Sequence, residues 1–416
     1  MLTIPRTWSH AFLGGHSVRL KDLELYHLTW PFFEPRHREF AARFAMWASS
    51  NLKEFESDEG GNGTAAREIF RRLGVDGWLD ATLPCVGGQP TLDLRAVCLL
   101  REIVAFGSVI ADVALSEPWL GILPIYLFGS AKQRNTYAAA YRAGRLLPAF
   151  ALSEPEAGSD AGAIATTAHH DGNCYVLNGR KTWTSNAGLA DIYVVFARID
   201  GGGDGGGISA FVVDGKTEGI VLEQRLEVLP PHAVATWRLE NCRVATDGVL
   251  GPPGQGLEIA KTVLELFRPT VGAANLGMSR RAMSEAVARS LERTAFRKPI
   301  AEHQLIQSKI ANMGVQVDAA ALLVYRAAWL YDTSQRRIAR EAAIAKYYSS
   351  EAASQIIDQA LQVFGGLGVL KGAVIERLFR HSRAFRIFDG TSEIQQLIIA
   401  REMLRTAGAG MKALAE

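Results

Sequence analysis

The chain is short of the features that most directly betray a function. Its 416 residues include four cysteines, Cys85, Cys98, Cys174 and Cys242, and no two of them stand in a CxxC or Cys/His spacing. A zinc site is therefore not expected, and buried thiols in a reducing cytosol are the plain reading. Neither sign of charge dominates: 45 Lys and Arg face 43 Asp and Glu, for a net charge of +2. That balance gives no argument for a nucleic acid or an anionic membrane as partner. No apolar run of membrane length is free of charge. The most apolar window, 96–115, contains Arg101, Glu102 and Asp112, which points to a buried core helix and against a membrane span. The opening "MLTIPRTWSHAFLGGHS" has no continuous apolar stretch of the kind a signal peptide needs, so a cytoplasmic location is expected. There is no repeat of fixed period and no GxGxxG after a strand; in "GGLGVLKG" (365–372) Lys371 stands where the third glycine would be.

With 48% hydrophobic and 21% charged residues, the chain has the composition of a globular protein, long enough for two or three domains. Residues 35–149 read as mostly helical: "PRHREFAARFAMWASSNLKEF" and "AAREIFRRLGVDGWL" carry apolar residues at i, i+3, i+4. Between them "ESDEGGNGT" is a loop, with Thr64 as a candidate N-cap. From about 150 to 255 the character changes. "CYVLNGRKTWTSN" reads as a hairpin turning at Asn178-Gly179. "IYVVFARI" and "ISAFVVD" are strands joined by "DGGGDGGG", a hairpin loop and not a phosphate loop, and "WRLENCRV" continues the strand pattern. From Gly256 the helical period returns, over 257–293, 302–332, 336–366 and a last helix after Asp389. The organisation expected is α+β and multi-domain: an extension over 1–26, a helical domain 27–149, a β domain 150–255 and a helical bundle 256–416. Strand–helix alternation is absent, which disfavours a doubly wound fold.

Five segments, in order, give the chain its specific likeness. "ALSEPEAGSDAGAIATTA" (151–168), "NGRKTWTSNAG" (178–188), "RPTVGAANLG" (268–277), "QVFGGLG" (362–368) and "FDGTSEIQ" (388–395) resemble the ordered motif set of the acyl-CoA dehydrogenase family. They cover roughly 150–405. The resemblance implies an N-terminal helical domain, a central β-barrel-like or sandwich domain and a C-terminal four-helix bundle. It also implies FAD as cofactor, an acyl thioester of coenzyme A or an acyl carrier protein as substrate, an electron-transfer flavoprotein as electron acceptor, and a homotetramer, with a dimer as the minimum.

Carried over residue by residue, the resemblance assigns Leu152, Ser153, Gly158 and Ser159 to the isoalloxazine edge and pyrophosphate of the flavin. Trp183 flanks the ring, and the Ser185 hydroxyl bonds flavin N5, where a hydride arrives. Arg293 and Phe296 hold the pyrophosphate and adenine half, a task suited to the arginine fork. Ala295 stands between them where the family often has Thr. Gln304, Thr391 and Glu393 are further FAD contacts, and Gln362, Gly365 and Gly366 reach the FAD of a neighbouring subunit. Ser159, Phe388 and Gly390 fall at the substrate.

Asp389 carries two readings. Asp-Gly is a common turn pair, and Thr391 or Ser392 can cap the following helix. In the family this position is the catalytic base, usually Glu, which removes the α-proton of the thioester; Arg268 orients that region. The alternative base position, before the arginine of "FRP", is Phe267 here and cannot act. Asp is shorter than Glu by one methylene, on the order of 1 Å, and a misplacement of that size can cost about a hundredfold. Three explanations are open: a cyclic or α-branched acyl group that sits closer, a flavin-dependent oxidase resembling nitroalkane oxidase, or a non-catalytic flavin-binding homologue. Nitroalkane oxidase has an arginine seven residues after its Asp, where this chain has Gln396. Leu229-Pro230-Pro231-His232 stands where the family often has Gly-x-Arg, so substrate-end contacts do not transfer there.

Overall fold

The computed structural model describes residues 18–55, 63–86, 89–200, 207–230 and 232–413. The first helices are α1 (Pro35–Asn51) and α2 (Thr64–Val75), followed by the two-residue strands β1 (Cys85–Val86) and β2 (Gln89–Pro90). The loop "ESDEGGNGT" lies largely outside the described residues, as does most of the 1–26 extension. Thr64 is not the N-cap of α2. Gly63 is, at φ +82, and Thr64 is already helical. The left-handed cap conformation suits glycine, which has no Cβ to clash.

The most apolar window is not one helix. It breaks at Ser108 into α3 (Leu94–Gly107) and α4 (Val109–Phe128), and the Ser108 hydroxyl caps α4 by accepting from Ala111 N at 3.3 Å. By length and composition α4 could cross a membrane, but 94% of its most apolar stretch is buried inside the fold. After α5 (Ala131–Arg142) the chain enters the sheet.

Among the described residues, eight strands join in that sheet: β3 (Pro148–Ala151), β4 (Thr167–Asp171), β5 (Cys174–Ser185), β6 (Ile192–Ile199), β7 (Ile208–Asp214), β8 (Ile220–Leu226), β9 (Val234–Ala245) and β10 (Val249–Leu250). Their order is β10-β7-β6-β4-β5-β9-β8, with β3 parallel to β6. β6 explains the unbroken apolar run "IYVVFARI". Val194 and Phe196 face the helical core, while Tyr193, Val195 and Ala197 face a second core on the other side of the sheet. β6 and β7 pair antiparallel across the glycine run, of which 201–206 lie outside the described residues.

The hairpin turn is misplaced in the sequence reading. β4 and β5 turn at Gly172-Asn173, with Asp171 opposite Cys174, and Asn178-Gly179 lies inside β5. The glycine there serves a close approach: a Cβ on Gly179 would fall 2.3 Å from Thr166 Oγ1. Asn178 works across strands, accepting from Asn241 N at 2.8 Å.

The remaining elements are α6 (Gly256–Glu292), the small hairpin β11 (Thr294–Ala295) and β12 (Lys298–Pro299), α7 (Gln304–Ser334), α8 (Ala339–Phe364), α9 (Val374–Ala384) and α10 (Ser392–Ala413). α8 packs against α6, α7, α9 and α10, and α3 lies along α6. The helices before and after the sheet thus share one apolar core. α9 was not expected from the sequence; its polar face is dense in Arg and its buried face is short: Ile375, Leu378, His381 and Ser382.

Candidate active site

The loop between α9 and α10 places Asp389. Asp389 and Gly390 take consecutive left-handed conformations, φ +59 and +92. Asp tolerates that region better than most side chains. At Gly390 the positive φ favours glycine, and a Cβ would fall 2.6 Å from the Gln395 Nε2 that bonds the Gly390 carbonyl. The loop is tied from three sides. Lys346 Nζ, fully buried on α8, donates to Gly390 O at 2.7 Å, and Gln395 Nε2 donates to the same oxygen at 2.9 Å. Thr391 caps α10 by accepting from Ile394 N at 3.3 Å, and Ser392 donates to Glu351 at 2.6 Å. The turn-and-cap reading is therefore true of Thr391, but it does not account for Asp389. Among the described residues the Asp389 N–H has no acceptor.

Three cations and three carboxylates converge at this point. Arg101 of α3 grips Asp112 of α4 through two bonds of 2.8 and 2.7 Å, and donates to Thr270 at 3.1 Å. Its guanidinium also lies 5.0 Å from the Phe267 ring, which is fully buried against Trp119. Arg268 is buried on α6, with its Nε unpartnered. Burial pulls the Arg268 guanidinium below its ordinary range, against the opposing pull of Glu265 and Asp389. Burial likewise brings Lys346 down to about 8. For Asp389 burial pushes the carboxyl up, and Lys346, Arg101 and Arg268 offset this only in part. Glu117 of α4 is pushed up to about 7, first by burial and then by the Asp389 charge, while the Ser185 hydroxyl favours its ionised form.

A second part of the candidate site is built on β5. The strand bulges between Lys181 and Thr184, and Trp183 sits in the bulge at φ +54, 61% exposed. A bulge re-aims a side chain out of the pleat. Thr182 N donates to Ser153 O at 3.0 Å, which brings the 152–159 loop beside Trp183. Beneath that loop Glu154 accepts from Ala165 N at 2.6 Å and Lys181 Nζ at 2.7 Å, an almost fully buried pair. Leu152 is buried, Ser153 half-buried, and Gly158 and Ser159 are exposed. An indole with an open face next to a small-residue loop and a strand-end hydroxyl, Ser185, is a donor set that fits a planar flavin.

Arg293, Phe296 and Gln304 gather in the turn from α6 to α7. Phe296 is 90% exposed at φ +52, edge-on to His303. Gln362, Gly365 and Gly366 are exposed at the end of α8, and Glu393 is exposed on α10. No hydrogen bond or ring contact among the described residues ties these groups to Asp389. Phe388 packs on Phe385 with ring centroids 4.8 Å apart. Of the 229–232 stretch, Leu229 is exposed and His232 is half-buried, its imidazole held down to about 4 by desolvation; Pro231 lies outside the described residues.

Sequence reasoning missed Glu117, Lys346 and the Arg101–Asp112 pair as parts of the site. The signal was present. Arg101 and Asp112 interrupt the most apolar window, and served there only to argue against a membrane. Lys346 interrupts a helix face of Ala342, Ala345, Ser349 and Ala353.

The acyl-CoA dehydrogenase N-terminal, middle and C-terminal domain families match residues 34–145, 149–242 and 254–404. The chain is 39% identical to the mitochondrial short-chain specific acyl-CoA dehydrogenase of Homo sapiens over 341 residues, 81% of this chain and 82% of that protein. It is 36% identical to the caffeyl-CoA reductase-Etf complex subunit CarC of Acetobacterium woodii over 347 residues, 83% of this chain and 91% of that one. Among solved structures, an acyl-CoA dehydrogenase from Bacillus anthracis complexed with FAD superposes with a TM-score of 0.84 at 30% identity, covering 95% of this chain and 70% of that chain.

Proposed function

The chain belongs to the acyl-CoA dehydrogenase family of FAD oxidoreductases that act on CH–CH donors, and from that premise we propose that Asp389 is the base that removes the α-proton of an acyl thioester. The observation that carries this reading is the state of Asp389. It is a carboxyl raised above its ordinary range, beside a free N–H of its own residue and within the field of three cations. A free Asp titrates near 3.9, too low for an efficient base near neutral pH. Burial brings Asp389 closer to that range.

FAD, held by the residues named above, would supply two-electron, hydride-accepting chemistry next to the β-carbon. Asp389 takes the α-proton on its carboxylate. The Asp389 N–H is free to donate to the thioester carbonyl, where negative charge develops as the proton leaves. Arg268 and Lys346 favour the ionised base before transfer, and Lys346 also holds the loop that presents it. Trp183 would cover the ring and exclude water, and Ser185 would donate at its N5. Arg293, Phe296 and Gln304 serve the diphosphate and adenine half, aided by the exposed Gln362, Gly365 and Gly366 of a neighbouring chain; that sharing needs at least a dimer, and the family resemblance extends it to a homotetramer. Likeness to a subunit named for an Etf complex supports an electron-transfer flavoprotein as the redox partner. Gln396 donates to Tyr347 Oη at 2.8 Å and brings no cation to the site, which favours a thioester over a nitroalkane.

The test is anaerobic bleaching of the bound flavin by a panel of acyl thioesters of CoA and of acyl carrier protein, including cyclohexanecarboxyl and branched acyl groups. At least one should bleach the flavin of the wild type and leave that of Asp389→Asn coloured. Equal single-turnover rates for the two proteins would return Asp389 to the role of a turn residue.

A further inference from the structure

Lys181 and Glu154 have no place in the scheme above, yet they form the floor under the 152–159 loop. Lys181 is fully buried on β5, and Glu154 is 6% exposed. Lys181 Nζ donates to Glu154 Oε1 at 2.7 Å and to Leu152 O at 3.1 Å. Glu154 is satisfied further from the chain leading into β4. Ala165 N donates to its Oε2 at 2.6 Å, Thr166 N to its Oε1 at 3.0 Å, and the Thr166 hydroxyl to Oε1 as well. Thr166 is itself fixed, packed so close to Gly179 of β5 that a Cβ there would fall 2.3 Å from Thr166 Oγ1. One ammonium thus ties the loop to β5 and, through Glu154, to the entry of β4.

A buried ion pair is a poor device for stability alone, since the cost of desolvating two charges offsets most of their attraction. Burial already brings the Lys181 ammonium down to about 8. What the pair does achieve is direction. The Leu152 carbonyl is drawn to Lys181, and the Ser153 carbonyl is held by Thr182 N at 3.0 Å. Glu154 and Ala157 close the turn on each other with bonds of 3.0 and 3.1 Å. Among the described residues the N–H groups of Ser153, Gly158 and Ser159 have no acceptor. These carbonyls are taken inside the protein while donors are left over, and a ligand rich in acceptors, such as a flavin edge or a diphosphate, needs donors. Lys181 is also the last paired residue before the bulge that carries Trp183, so the same tether fixes the strand where it leaves the pleat.

We propose, on the assignment of residues 152–159 to the flavin, that Lys181 is a positioning residue for FAD. Its ammonium holds the Leu152 carbonyl away from the cofactor and so keeps the donors of the loop turned toward it. Glu154 is the counter-charge that keeps the ammonium in place. The pair acts through the loop and does not touch the cofactor.

FAD affinity and urea unfolding of the flavin-stripped full chain test this apart from turnover. Lys181→Met should weaken FAD binding about tenfold or more, the worth of a hydrogen bond from a charged group. It should also lower stability, because Glu154 is left buried without its counter-charge. Lys181→Met combined with Glu154→Gln removes both charges. Its stability should return toward that of the wild type, while its FAD affinity stays about tenfold weak because the Leu152 carbonyl is still untied. A purely structural pair would not give that split. Gly158→Val checks the premise. No atom lies within 4 Å of a Cβ at that position, so the stripped chain should keep its stability and lose FAD affinity. A double variant that recovers affinity together with stability overturns the inference, as does a Lys181→Met protein that binds FAD like the wild type. With Gly158→Val still weak, either result leaves the loop assignment standing. A Gly158→Val protein that binds FAD like the wild type removes the loop assignment, and the inference with it.

Discussion

Two clusters of buried charge lie along α3 and α6, and they differ in how their carboxylates are satisfied. Glu102 is fully buried, with Arg280 Nε at 2.7 Å, the Tyr325 hydroxyl donating, and His27 Nε2 at 3.3 Å. Burial pushes this carboxyl up, but His27 and Arg280 outweigh it and hold it at about 2. Its surroundings are packed as well: His27 stacks on Tyr325 at 5.0 Å and Arg280 lies 5.1 Å from the Tyr26 ring. Asp389 and Glu117 are also surrounded by protein, yet burial wins at both. Lys346 spends its ammonium on the Gly390 carbonyl, Arg101 is occupied by Asp112, and Arg268 leaves its Nε unpartnered. The comparison separates two uses of a buried carboxylate. One is saturated and inert, and joins helices. The other is left short of partners, so that a proton can come and go.

The largest expected effect breaks the comparison at its two centres. Asp389→Asn should reduce its flavin at least a thousandfold more slowly with a good thioester, by analogy with general-base effects of about 10²–10⁴, and should keep its fold and FAD. Glu102→Gln should do the reverse. It leaves Arg280 uncompensated in the core, a loss of about 3–5 kcal/mol, while any protein that still folds reduces its flavin at near the normal rate. Stopped-flow reduction and urea unfolding of both variants decide. If Glu102→Gln proves as stable as wild type, the saturated cluster is not the structural one.

This contrast was half legible in the sequence. The helix–sheet–helix order and the strands 192–199 and 208–214 could be read from local pattern, and the resemblance supplied Asp389, Arg268, Trp183 and Ser185 as candidates. The turn at Gly172-Asn173 could not, because Asn178-Gly179 has the stronger local signal and only the approach of Thr166 explains why it lies within a strand. Glu117, Lys346 and Arg101 were not assigned to the site because their meaning is tertiary. Each is a charge on a different helix, and only packing α3, α4 and α8 around the 389 loop brings them together.

A smaller effect sharpens the functional side. Lys346→Met removes the leading cation that opposes burial at Asp389. The base should then titrate higher, and the rising limb of the flavin-reduction rate against pH should move upward by about one unit. The fold should hold, since a buried ammonium already brought down to about 8 is costly to keep charged. A pH profile identical to wild type would mean that Lys346 only anchors the loop.

The smallest expected effect is on stability, and here the two clusters should slope in opposite directions. Glu102 is held at about 2 in the folded chain and titrates near 4.5 when unfolded. The unfolded chain therefore binds a proton first as pH falls, so Glu102 contributes stability that is full above about 4.5 and is lost on acidification toward 2. Glu117 is raised from 4.5 to about 7. There the folded chain keeps its proton while the unfolded chain releases it, so stability falls as pH rises from 4.5 to 7. The size of this second effect is on the order of 1–2 kcal/mol after allowance for the part of Glu117 that remains accessible. Unfolding free energies at pH 5 and pH 8 for wild type and Glu117→Gln measure it by difference, which cancels every other titrating group. The variant should gain on the wild type at pH 8 relative to pH 5. A difference that does not change with pH would mean that Glu117 is ionised throughout, and the contrast with Glu102 would then lie in hydrogen-bond partners alone.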